Sequence, residues 1–131
     1  MKNLLLLLLI SIPTFSSAQA HLFSSESEIK KLYPDKTFEI GYSEDGEKYI
    51  HTFMKYGTFF YYFDQESGLS NFCMQIIEEI PNLNGQVEAY NNQYVIISDN
   101  KWKAYLNGGG IININLEYNK EHEVYVFYYR E

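Results

Sequence analysis

The side chains able to do acid–base, nucleophilic or metal chemistry are few and scattered along the chain. Its histidines are His21, His51 and His122, and Cys73 is its single cysteine. Zinc takes three or four ligands at constrained spacing, and neither H-E-x-x-H nor a paired-cysteine motif is present. Glu121-His122-Glu123 reads as a solvated turn whose carboxylates favour a protonated imidazole. Cys73 and His51 form the one thiol–imidazole combination. A nucleophilic thiol needs an electropositive, partly exposed setting, however, and Cys73 stands between Phe72 and Met74. It reads as a small buried packing residue.

Glu78-Glu79 is the clearest carboxylate pair. On a strand such neighbours point to opposite faces, so they could not flank one glycosidic bond, and a solvated strand end is expected. Asn107-Gly108-Gly109-Gly110 lacks the Lys-Ser/Thr ending of a phosphate loop and leads into a strand, so it reads as a hairpin turn. Asp64-x-Glu66-x-Gly68 does not keep the register of a calcium loop, and no G-x-S-x-G elbow occurs. The expectation is a protein that is not an enzyme, with no catalytic residue, no bound metal and no cofactor.

The aromatic residues carry more information. Trp102 lies between Lys101 and Lys103, just after the Asp99-Asn100 turn, and Tyr105 follows on the same strand. Such an indole suits a stacking platform for a sugar or an anchor in a protein interface, with Tyr105 beside it, and these two are the candidate binding residues. A core tryptophan is the competing reading. Tyr56, Tyr61, Tyr62, Tyr125 and Tyr129 would extend the same aromatic surface.

These side chains must be positioned by a strand-rich domain. Ser25-x-x-Glu28 is a capping box, and Ile29, Leu32 and Tyr33 share a helical face, so a short helix is predicted over Glu26 to Tyr33, stopped by Pro34. From Thr37 the period becomes two, with Phe38, Ile40 and Tyr42 on one face and Asp45-Gly46 as a hairpin turn before a strand from Lys48 to Lys55. Thr58 to Asp64 has aromatics on both faces and reads as an interior strand. Residues 69–80 fit either a helix or a strand, and the strand is favoured. Leu83, Val87, Tyr90 and Tyr94 then follow a helical period, with Asn82 as candidate cap after Pro81. Four more strands are predicted over Tyr94–Ser98, Lys101–Leu106, Ile111–Tyr118 and Glu123–Arg130. The fold class expected is α+β: an antiparallel sheet with two short helices on one face, in two helix-plus-four-strand halves.

Lys2, the apolar run from Leu4 to Ile12 and the small residues Ser16-Ser17-Ala18-Gln19-Ala20 have the layout of a secretory signal peptide. Residues 1–20 are expected to be removed, leaving 21–131 as a single exported domain, periplasmic or extracellular. The apolar run is shorter than the roughly 20 residues needed to cross a bilayer, so no stable membrane anchor is expected. With 17 acidic against 10 basic residues and a net charge of −7, nucleic acid is a poor partner. Thirteen Tyr and nine Phe with one Cys describe a β-rich domain stabilised by packing, without an intrachain disulfide.

In the order of its elements and in its S-x-x-E-I-K-K-x-Y-P opening (Ser25 to Pro34), the chain resembles small secreted bacterial proteins of unassigned function. More distantly it is similar to the helix-plus-sheet modules of outer-membrane assembly lipoproteins and of the β-lactamase inhibitor protein. That resemblance implies a binding module and assigns no site residue. The functional expectation is an exported interaction module using a Tyr-rich sheet, with a protein partner in the cell envelope or outside the cell. The alternatives are a carbohydrate-binding protein that stacks a sugar on Trp102, and an enzyme of unrecognised type.

Overall fold

The computed structural model describes residues 21–106 and 109–131. Residues 1–20, where the signal-peptide reading falls, and Asn107 and Gly108 of the glycine-rich turn lie outside the described residues. Among the described residues two helices and eight strands follow the sequence periods: α1 (Glu26–Leu32), β1 (Glu39–Tyr42), β2 (Lys48–Phe53), β3 (Thr58–Phe63), β4 (Ser70–Ile77), α2 (Ile80–Gln93), β5 (Val95–Ser98), β6 (Lys101–Tyr105), β7 (Ile111–Asn119) and β8 (Val124–Arg130). The fold is α+β, and residues 69–80 resolve as a strand followed by the start of α2.

Ser25 caps α1 through its side-chain oxygen, which accepts from the Glu28 backbone N–H at 3.2 Å. The Ser25 hydroxyl donates in turn to Glu28 Oε1 at 3.0 Å, so the box closes on the Ser25 side chain instead of its backbone N–H. The second helix begins two residues before the predicted cap. Its N-cap is Glu79, without a side-chain bond, and Pro81 occupies the first turn, where a missing N–H costs nothing. Asn82 therefore lies inside the helix.

All eight strands form one antiparallel sheet in the order β1-β2-β3-β4-β8-β7-β6-β5. Each half is a helix followed by a four-strand meander, and the last strand of each half meets the other at the centre. One cross-strand row, Ile50-Tyr61-Cys73-Tyr129-Ile114-Trp102, faces inward. Both helices cover that face: Ile29 from α1 and Leu83 and Tyr90 from α2 belong to the same buried cluster as the row. The buried positions of α2 are Leu83, Gln86 and Tyr90, while Val87 and Tyr94 pack at the margin. Gly85 is the point where Tyr56 approaches the helix, since a Cβ there would lie 2.6 Å from its ring.

The core carries polar atoms. The Tyr90 and Tyr129 hydroxyls bond to one another, and Tyr129 donates to Gln75 Oε1 at 3.3 Å. Gln75 Nε2 and Gln86 Oε1 have no hydrogen-bond partner among the described residues. Burial pushes the Tyr61, Tyr90 and Tyr129 hydroxyls well above the ordinary tyrosine value, so all three are neutral in the folded protein.

Candidate functional site

Strand alternation sends every second side chain to the face without helices, and that face is the candidate site. One cross-strand row there runs Glu39-His51-Phe60-Met74-Tyr128-Asn115-Lys101, and the next includes Tyr49, Tyr62 and Phe72. These rows create a continuous aromatic ledge over β2, β3, β4 and β8. His51 stacks on Phe60 at 5.0 Å with planes 18° apart. Tyr49 meets Tyr62 at 5.1 Å, Tyr62 meets Phe72 at 5.6 Å, and Phe72 stacks on Tyr128 at 6.0 Å. Neighbouring rings shield one another from water, which leaves the ledge half-buried although none of the described elements covers it.

The guanidinium of Arg130 lies 5.1 Å from the Phe72 ring centre and 5.9 Å from that of Tyr128. A cation over aromatic faces is attracted to the ring quadrupole, so the ledge ends in a positive charge that remains exposed. Beyond it, β6 and β7 present Lys101, Lys103, Asn113 and Asn115 on the same face. The three cations Lys101, Lys103 and Arg130 have no ion-pair partner among the described residues. In an acidic chain, one face thus joins an aromatic half to an amide and ammonium half.

Trp102 is not on this face. It is 1% exposed, its Nε1–H donates to Asn91 Oδ1 at 2.8 Å, and it packs edge-on against Tyr90 at 6.0 Å. An anchor or stacking platform must reach the surface, so the assignment of Trp102 to binding is corrected: the residue is core. Tyr105, three residues on, points to the opposite face and is 62% exposed. It lines a shallow depression of ≈ 290 Å³ with Tyr94, Val95 and Lys103. The two residues share a strand and no surface. Of the supporting tyrosines, Tyr61 and Tyr129 are core and Tyr62 belongs to the ledge.

The reactive side chains are kept apart. Cys73 is fully buried on the helix side, where desolvation pushes its thiol well above the ordinary value, while His51 is on the uncovered side, 3.5 Å from Glu39. Glu78 and Glu79 follow the end of β4, so strand alternation does not separate them as the sequence implied. Both line a cleft of ≈ 300 Å³ with Phe53, Tyr56 and Asn82. Both are exposed, in keeping with a solvated strand end. Among the described residues no group of three or more His, Cys, Asp and Glu could hold a metal ion.

The ledge residues His51, Phe60, Phe72 and Tyr128 were missed as site candidates. The available signal was aromatic alternation on both sides of one strand, as in Phe59 to Phe63, which requires that one set be left outside when a single layer of helices covers the sheet. Comparisons with family models, with curated proteins and with solved structures gave no match.

Proposed function

We propose that this chain is an exported, non-enzymatic interaction module that holds a protein partner on the uncovered face of its sheet. The observation that carries the reading is the aromatic ledge from Tyr49 to Tyr128, capped by Arg130 and covered by none of the described elements. Interface energy concentrates in Tyr, Trp and Arg anchors surrounded by polar groups, and the rim of Asn113, Asn115, Lys101 and Lys103 supplies that surround. The helix-plus-four-strand order that resembles known binding modules favours the same reading. Cys73 and His51 on opposite faces support a role without nucleophilic catalysis. No described helix is long and apolar enough to cross a membrane.

A double variant tests the reading. Tyr62→Ala with Phe72→Ala removes two half-exposed rings and should leave the helical face and its melting behaviour largely intact. Proteins crosslinked to the wild-type chain in its native envelope should disappear with this variant and persist with Leu32→Ala, an exposed residue of α1 on the helix-covered side. Partners retained by the double variant would refute the ledge, and glycan-array binding that depends on Tyr62 and Phe72 would replace the protein partner with a carbohydrate.

A further inference from the structure

The sheet is open, so it has two edges, β1 and β5. Among the described residues β1 pairs only with β2 and β5 only with β6, so each presents an outward row of backbone N–H and C=O groups. Exposed edges invite another strand, and proteins guard them with charge, proline, bulges or a covering element. The β1 edge is guarded by charge: it carries Glu39 and leads into a turn with Glu44, Asp45 and Glu47, so two copies meeting there would oppose carboxylates.

The β5 edge is less protected, with Asp99 of the following turn as its one adjoining carboxylate. Its sequence is Val95-Ile96-Ile97-Ser98, without a charge, and the three apolar residues are 48%, 54% and 51% exposed. All three are β-branched, the shape that packs best across strands. A register irregularity between Ile96 and Ser98 is the only guarding device within the strand.

We propose that β5 is a self-association edge, on which a second copy of this chain adds its own β5 antiparallel. An uncharged strand is complementary to itself: across a two-fold axis Val and Ile meet Val and Ile, and each such cross-strand pair is favourable by about 0.2–1 kcal/mol. The arrangement is isologous and closes as a dimer, whereas β5 on β1 would be head-to-tail and would leave free edges for further copies. The axis of an antiparallel pair stands perpendicular to the sheet. Both uncovered faces therefore emerge on one side of a continuous sheet and the four described helices on the other. This places two aromatic ledges side by side, although the dimer itself does not depend on what those ledges bind.

Sedimentation velocity on the purified protein over a concentration series up to about 100 μM reads a dimer with Kd near or below that range. The wild type should shift from monomer to dimer. With the axis at Ile96, where Ile96 meets Ile96 and Val95 meets Ile97, Ile96→Lys and Ile96→Glu should each stay monomeric with unchanged circular dichroism, because like charges meet across the axis, and an equal mixture of the two should recover the dimer. A wild type that stays monomeric, variants that dimerise as well as it does, or a mixture that remains monomeric would each overturn the proposal. If the variants lose their fold, hydrogen exchange on the unmodified protein decides. Protection of the Val95–Ser98 amides that rises with concentration supports the edge, and protection independent of concentration overturns it.

Discussion

Replacing Trp102 by Ala is the most direct check on the packing between α2 and the sheet. The indole is 1% exposed beneath α2, in contact with Tyr90 and with Phe127 at 5.8 Å. Burial of roughly 200 Å² of ring at about 25 cal/mol per Å² corresponds to about 5 kcal/mol. Measured tryptophan and phenylalanine truncations in cores cost about 3–5 kcal/mol. The lost bond to Asn91 adds little, because Asn91 is exposed and water replaces the indole as its donor. At about 4 °C per kcal/mol for a domain of this size, the melting temperature should fall by roughly 12–20 °C. Circular dichroism melts give that shift directly. As the only tryptophan in the chain, Trp102 also reports on itself: its fluorescence should be blue-shifted and resistant to iodide quenching in the folded protein. An iodide-quenched, red-shifted emission together with an unchanged melt would show that the indole faces solvent and that the core is wrongly described.

Two further outcomes follow from single contacts. Gly57 is buried where the chain turns between β2 and β3, and a Cβ there would press on the carbonyl oxygen of Ile76 and lie 3.0 Å from Ile77 Cγ1, so Gly57→Ala should destabilise by about 1–3 kcal/mol in urea melts; an unchanged midpoint would contradict that close approach. His21 is pushed down to about 4 from an ordinary 6.5 by burial against Tyr33 and Tyr61, so below pH 6.5 the unfolded chain takes up a proton that the folded chain refuses. Stability is then complete above pH 6.5 and declines as pH falls toward 4, and His21→Phe should flatten melting temperature against pH in that window; equal slopes in both proteins would remove His21 as the cause.

The strands and turns were legible because their signals are local. Asp45-Gly46 gives a turn with Gly46 at φ +83°, Ser25 caps α1, and period-two alternation marks each strand. The identity of the buried face was not legible. Tyr49 and Ile50, Phe60 and Tyr61, Phe72 and Cys73, Tyr128 and Tyr129 each offer an apolar choice on both sides, so alternation fixes two faces without saying which one receives the helices. Trp102 shows the cost of that ambiguity: its lysine neighbours point the other way, and their charge says nothing about the indole between them. The start of α2 was obscured because Glu79 caps it without a side-chain bond, leaving no residue-type signal.

The sheet order also constrains when the molecule can come into being. The centre of the sheet is the pairing of β4 with β8, where Gln75 and Tyr129 lie 54 positions apart, and β8 is the last of the eight described strands to be synthesised. Before it arrives, β1 to β4 can form only a local meander, and β5 to β7 only another, with no ladder joining them. Loop closure across that separation must precede the contacts that reward it, which makes the joining step slow relative to the hairpins. A nascent chain therefore cannot complete this fold until Arg130 is free to pair. Loss of the seven residues Val124 to Arg130 would leave two small sheets, each with a newly exposed apolar edge where the other half belonged.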